Sequence, residues 1–149
     1  MHKLEAGILD PSEIYFLIPS DFAVKSLYCV QHIGVFYCDP RYVVTHPYWE
    51  SILMLFIDEG ELEVSFRDEL FLAKSGDIVL IDCRYEHSYH ALDGLKFHYF
   101  HFTGPSSVDY THLIYQLNQS ACIRGAQSEV LTNIFSNLFR LAKSQANMQ

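Results

Sequence analysis

The sequence predicts a mainly β domain closed by two C-terminal α-helices. Before residue 105, short apolar or alternating stretches are cut repeatedly by turn residues, the pattern of many short strands. All five prolines and six of the seven glycines lie at or before Pro105, and beyond it apolar residues recur at helical spacing. Strands followed by helices read as a β layer with helices packed outside it. The boundary falls at residue 104, dividing residues 1–104 from residues 105–149.

Each element has its own justification. Leu27 to Tyr37 is rich in β-branched and aromatic residues and ends at Asp39-Pro40. Ile52 to Ile57 is an unbroken apolar run, suited to a strand covered on both faces. Asp58-Glu59-Gly60 turns into Leu62, Val64 and Phe66, which alternate with polar residues as a strand with one wet face does. Arg67-Asp68-Glu69 turns into Leu70 to Ala73, and Ser75-Gly76-Asp77 into Ile78 to Ile81. Leu95 to Phe102 is a further strand, closed by Thr103-Gly104-Pro105. Ser106 or Ser107 caps a first helix with an apolar stripe of Leu113, Ile114 and Leu117. Ser128 starts a second, whose stripe comprises Leu131, Ile134, Phe135, Leu138 and Ala142, broadened by Phe139 and Leu141. That stripe either docks on the sheet or, through Leu131, Phe135, Leu138 and Phe139, forms a helix-to-helix dimer seam.

Composition narrows the function. Eighteen Asp and Glu against ten Lys and Arg leave a formal net charge of −8, which disfavours a grip on nucleic acid or on an anionic membrane surface. Ten Tyr and eleven Phe exclude a disordered chain. No apolar stretch is long enough for a membrane span, and no signal-peptide pattern opens the chain, so a cytoplasmic protein is expected. Cys29, Cys38, Cys83 and Cys122 are scattered without a C-x-x-C pair, as reduced buried thiols are. Glu59, Glu61 and Glu63 flank a turn and read as a solvated rim, and neither a G-x-S-x-G elbow nor a Gly-rich phosphate loop is present.

Gly76-Asp77 opening a hydrophobic strand, with Glu86-His87 beyond it, resembles the second cupin motif, and Gly60 resembles the closing glycine of the first. Counting back from Gly60, the first motif's ligand positions fall at His46, Tyr48 and Leu53, so two metal-ligand positions carry Tyr and Leu. The wider series resembles the N-terminal sensing domain of AraC-type bacterial transcription regulators. It runs from Arg41 through Ile52–Ile57, Glu59-Gly60-Glu61, Gly76-Asp77 and His87 to His101-Phe102-Thr103-Gly104. The resemblance covers roughly residues 27 to 145. One departure is that Asp82 stands where a proline commonly follows the second-motif strand, with Arg84 in place of a glycine.

The resemblance implies a cupin-like β-barrel (double-stranded β-helix) that binds a small effector, often a sugar, and dimerises through its helices. It also implies a helix-turn-helix DNA-binding domain, which these 149 residues do not contain. Roughly a hundred further residues are expected for it beyond Gln149. Strand alternation puts His46 with Tyr48, His87 with Tyr89, and Leu95, Phe97, Tyr99 and His101 on shared faces. The expected ligand-binding set is Arg41, His46, Tyr48, Trp49, His87, Tyr89, Phe97 and Tyr99, in which aromatic faces stack on sugar C–H patches and polar tips bind hydroxyls. Arg41 either orients a ligand group or bonds a loop carbonyl. His32, His90, His98 and His112 read as surface or edge residues. No catalytic residue, cofactor or metal is expected, and the partners are the effector and a second copy of the chain. The alternative is a standalone metal-dependent cupin enzyme, an isomerase or dioxygenase, with metal on His46 and His87 and help from Tyr48, Glu50 or His101. A third reading is a dimerisation module whose barrel is filled by its own side chains.

Overall fold

In the computed structural model, residues 5–46 and 48–148 are described, with the side chains of His46, Asn147 and Met148 left aside. The chain runs β1 (Ile8–Phe16), α1 (Asp21–Ser26), β2 (Cys29–Cys38), β3 (Val43–His46), β4 (Ile52–Glu59), β5 (Glu61–Phe66) and β6 (Glu69–Lys74). It continues through β7 (Ile78–Asp82), β8 (His87–Ala91), β9 (Leu95–Thr103), α2 (Ser107–Asn118), β10 (Cys122–Ile123) and α3 (Glu129–Met148). The strands form two antiparallel sheets, one ordered β1-β2-β9-β4-β7-β10 and the other β3-β8-β5-β6. The two sheets enclose the main core, in which Leu53, Leu55, Ile57, Leu62 and Val64 are at most 1% exposed.

Both strand signatures expected from the sequence are realised. In β5, Leu62, Val64 and Phe66 are buried while Glu63 and Ser65 are exposed. β4 and β7 are buried along both faces because the barrel core lies on one side and helices on the other. α3 covers the outer face of the larger sheet, where Phe135 and Ala142 join Ile33, Phe56 and Ile78. Leu131, Leu138 and Phe139 pack into that same layer, so the four residues considered for a dimer seam face the sheet. Val130, Ile134 and Leu141 are left exposed on α3.

Several elements depart from the expected pattern. β1 pairs with β2 through a bulge between Leu9 and Glu13, within which the Ser12 hydroxyl accepts from the Tyr37 N–H at 2.8 Å. Leu113 and Leu117 of α2 point outward, and the side of the helix turned to the barrel carries Ser107, Thr111 and Tyr115. That inward side is polar because it bonds the end of β7: the Tyr115 hydroxyl donates to the Leu80 carbonyl (2.7 Å) and accepts from the Asp82 N–H (2.9 Å). A proline at 82 would lack that N–H. The Asp82 carboxylate, fully buried, accepts from Arg84 and from His112 of α2 (2.9 Å). Burial alone would raise the Asp82 carboxyl, but these bonds outweigh it and hold the group below its ordinary value.

Candidate functional site

A cavity of about 300 Å³ lies between the sheets, toward the end where β1 crosses the barrel. β1 lines it with Ile8, Ile14 and Phe16, and β2 with His32 and Phe36. Tyr42, Val44 and Tyr89 form the opposite wall, and Phe97, Tyr99 and His101 project from one face of β9. Trp49 and Glu5 complete the lining.

Local structure sets each of these groups. Gly34 of β2 stands opposite Tyr99 of β9, and a Cβ at Gly34 would fall 2.8 Å from the Tyr99 ring. The missing side chain therefore lets that ring lie against the β2 backbone. Trp49 is held by backbone bonds, its N–H donating to the Cys83 carbonyl (2.8 Å) while its C=O accepts from the Ser51 N–H (2.9 Å). Its ring stands 4.3 Å from that of His101 and 5.4 Å from that of His32, which stacks in turn on His101 at 4.3 Å. The two imidazoles are oriented by hydroxyls: His32 Nδ1 shares a 3.2 Å hydrogen bond with Tyr99, and His101 Nδ1 one of 3.1 Å with Ser51.

Burial dominates the electrostatics. It lowers the His32 imidazole to about 4, so this ring is neutral at pH 7. Burial also holds the Tyr42, Tyr89 and Tyr99 hydroxyls above their ordinary value, and Glu5 adds to the effect on Tyr89 and Tyr99. The tyrosines are thus neutral donors and acceptors. An enclosed space with aromatic walls and a few convergent polar tips is what a small-molecule site requires.

Of the residues expected from the sequence, the cavity brings together Trp49, Tyr89, Phe97 and Tyr99. It does not include Arg41, Tyr48 or His87. Arg41 is exposed, its guanidinium bonded to the Asp39 carboxylate of the same turn at 2.8 Å. Tyr48 is 60% exposed and donates to Glu50. His87 is buried two residues along β8 from Tyr89, bonds the Tyr85 carbonyl through Nδ1 (2.8 Å), and borders a separate opening with Thr45, Ser65 and Tyr85. The backbone of His46 pairs with that of His87, and its side chain lies outside the described residues.

The sequence places His32 among the surface or edge residues, yet it lines the cavity. His98 departs likewise: it is buried under α3, stacked on Phe56 at 4.6 Å and bonded to Asp58 at 2.7 Å. The signal for His101 was present, since it shares a strand face with Phe97 and Tyr99. His32 needed the β2–β9 pairing, which the sequence does not display. The donor set of a metallocupin is not assembled, because Leu53 is core and Tyr48 points to solvent. No cluster of three or more His, Cys, Asp or Glu suited to a metal occurs among the described residues.

None of the curated proteins matches the chain in sequence. The family described as the AraC-like ligand binding domain matches it over residues 31–148. Among solved structures, YhaK from Escherichia coli superposes with a TM-score of 0.54 at 15% identity, over 66% of this chain and 47% of YhaK. The chain thus spans about half the length of that protein. A cupin-2 domain protein from Shewanella frigidimarina gives a TM-score of 0.43 at 17% identity, over 59% of this chain and 78% of the other. Oxalate decarboxylase from Bacillus subtilis gives 0.48 at 17% identity, over 68% and 27% respectively. The fold is a cupin, mainly β in two antiparallel sheets with C-terminal helices. No helix among the described residues is long and apolar enough to cross a membrane.

Proposed function

The chain belongs to the family of AraC-like ligand-binding domains, and from that premise we propose that it is the effector-sensing and dimerisation module of a transcription regulator, without enzymatic activity. The effector occupies the cavity between the sheets and is a small hydroxyl-bearing molecule of the sugar class. The observation that carries this reading is the cavity itself. It is a space of about 300 Å³ between the sheets, walled by aromatic faces and tipped by tyrosine hydroxyls and imidazoles. Ring faces suit the apolar side of a sugar, and the polar tips suit its hydroxyls.

β1 supports a route from effector to helix. Its Ile14 and Phe16 line the cavity, while Tyr15 between them meets Phe139 of α3 edge-on at 5.4 Å. Glu13 of the same strand lies 3.7 Å from Lys143 of α3. An effector that prefers one placement of β1, and of the N-terminal segment from Leu4 to Ile18, biases α3 and whatever α3 carries. Leu4 itself lies outside the described residues. Residues 105–149 act as the dimerisation and linker segment, with the exposed Val130, Ile134 and Leu141 of α3 turned to a second copy. DNA contact belongs to a separate helix-turn-helix part of the regulator, since a chain of net charge −8 is poorly suited to phosphates.

The test is a melting-temperature screen against sugars, small acids and divalent metals. A ligand at a hundred times its Kd adds about 2.7 kcal/mol of stability, a shift of several degrees for a domain of this size. A sugar-dependent shift that Tyr99→Ala abolishes is expected. A shift that survives Tyr99→Ala overturns the cavity as the site, and one produced by metal alone favours a metal-dependent cupin enzyme.

A further inference from the structure

We propose that the effector carries a positively charged nitrogen, so that the cavity is a site for a small organic ammonium ion, an aminated member of the hydroxyl-bearing class. The inference rests on the reading of this cavity as the effector site and adds the ligand's charge.

Charge comes first. Among the described residues that line the cavity, Glu5 is the only formally charged side chain, and neither Lys nor Arg is among them. Its place at the mouth is fixed by the backbone. Gly7, two residues on, has φ +88° and packs so closely on the Tyr42 backbone that a Cβ would fall 2.2 Å from Tyr42 N. The Gly7 carbonyl accepts from the Asp39 N–H at 2.9 Å, which ties the start of β1 to the end of β2. Glu5 is exposed at this anchored corner.

The walls have matching chemistry. Trp49, His32 and His101 form a stacked group beside the Tyr99 ring. Aromatic faces carry negative potential and attract ammonium groups, most of all where water is excluded. His32, neutral through its burial, adds no opposing charge. An anion would meet the Glu5 carboxylate and ring faces, with no lysine or arginine among the described lining residues to balance it. A neutral sugar gains the stacking but leaves Glu5 without a counter-charge, whereas an ammonium group uses both.

Trp49 is the only tryptophan in the chain, which places its single indole fluorophore in the cavity wall. Glucosamine, glucose and glucuronate supply one ring in cationic, neutral and anionic form, and are titrated into the whole chain while Trp49 emission is followed. Choline and 3,3-dimethylbutan-1-ol form a second pair, matched in shape and differing in charge. Glucosamine is expected to bind about tenfold more tightly than glucose, with glucuronate weakest and choline ahead of its neutral twin. Glu5→Gln is expected to narrow the glucosamine preference to about threefold or less. Glucose binding as tightly as glucosamine, with choline no better than its twin, overturns the charge assignment and leaves the effector site standing. Binding that survives Tyr99→Ala undiminished overturns the effector site itself. Silence from every probe contradicts both.

Discussion

His32 shows how one side chain can be misplaced by its own residue type. A histidine in an amphipathic strand reads as an edge group, but pairing with β9 turns it inward against Tyr99 and His101. Its titration gives a direct check. The unfolded imidazole takes a proton near 6.5, whereas His32 in the fold takes one only near 4. Between those values the unfolded chain binds the extra proton, so stability falls as pH is lowered through that window and gains nothing from this group above it. The loss is on the order of 2–3 kcal/mol across the window. Denaturant melts at pH 7 and pH 4.5 should show it, and His32→Gln should flatten the difference. A variant whose profile runs parallel to the parent would contradict the burial assigned to His32. Tyr89, Phe97 and Tyr99 were legible in the sequence because alternation and motif position put them inward, and Trp49, the only tryptophan in the chain, because it lies next to the loop where it can cover the barrel mouth. Arg41 and Tyr48 were not excluded by it, because their local bonds to Asp39 and Glu50 emerge only in the folded turns.

Element by element, legibility followed the strength of the hydrophobic period. β4, β5, β7 and β9 are long or cleanly alternating and were readable. β1 contains Pro11, Ser12 and Glu13 across its bulge, which breaks the period and hides the strand that closes the cavity. α2 misleads for the opposite reason: its apolar residues face outward, because its inner side bonds the backbone and carboxylate at the end of β7. Tyr115→Phe removes the partner of both the Leu80 carbonyl and the Asp82 N–H. A loss of about 2 kcal/mol of stability is expected, together with faster hydrogen exchange at the Asp82 amide. Unchanged exchange there would mean that α2 is not held by this hydroxyl. The Asp82 position, where the family resemblance leads one to expect proline, is therefore built into the way α2 attaches.

At the scale of the whole molecule, a barrel with an open interior carries one helix docked on its outside and a second stripe of that helix uncovered. Leu131, Phe135, Leu138 and Phe139 pack into the chain's own outer layer, which leaves Val130, Ile134 and Leu141 exposed for the dimer contact we propose. If the proposed dimer forms through this face, Ile134→Glu is expected to shift the chain from dimer to monomer in sedimentation velocity while lowering the stability of the monomer fold by no more than about 1 kcal/mol. A dimer that persists in Ile134→Glu would place the contact elsewhere. The fold class, strands followed by C-terminal helices, was legible because it depends on periodicity along the chain. The cavity was only half legible because it depends on which strands become neighbours, and β1, β2 and β9 meet across large sequence separations. The most direct test of the effector cavity is a crystal structure of the chain grown with the tightest-binding probe. Ligand density between the sheets, against Trp49 and Tyr99 with its nitrogen toward Glu5, is the predicted result. Density confined to the opening beside His87 and Tyr85, with the cavity occupied only by water, would contradict it.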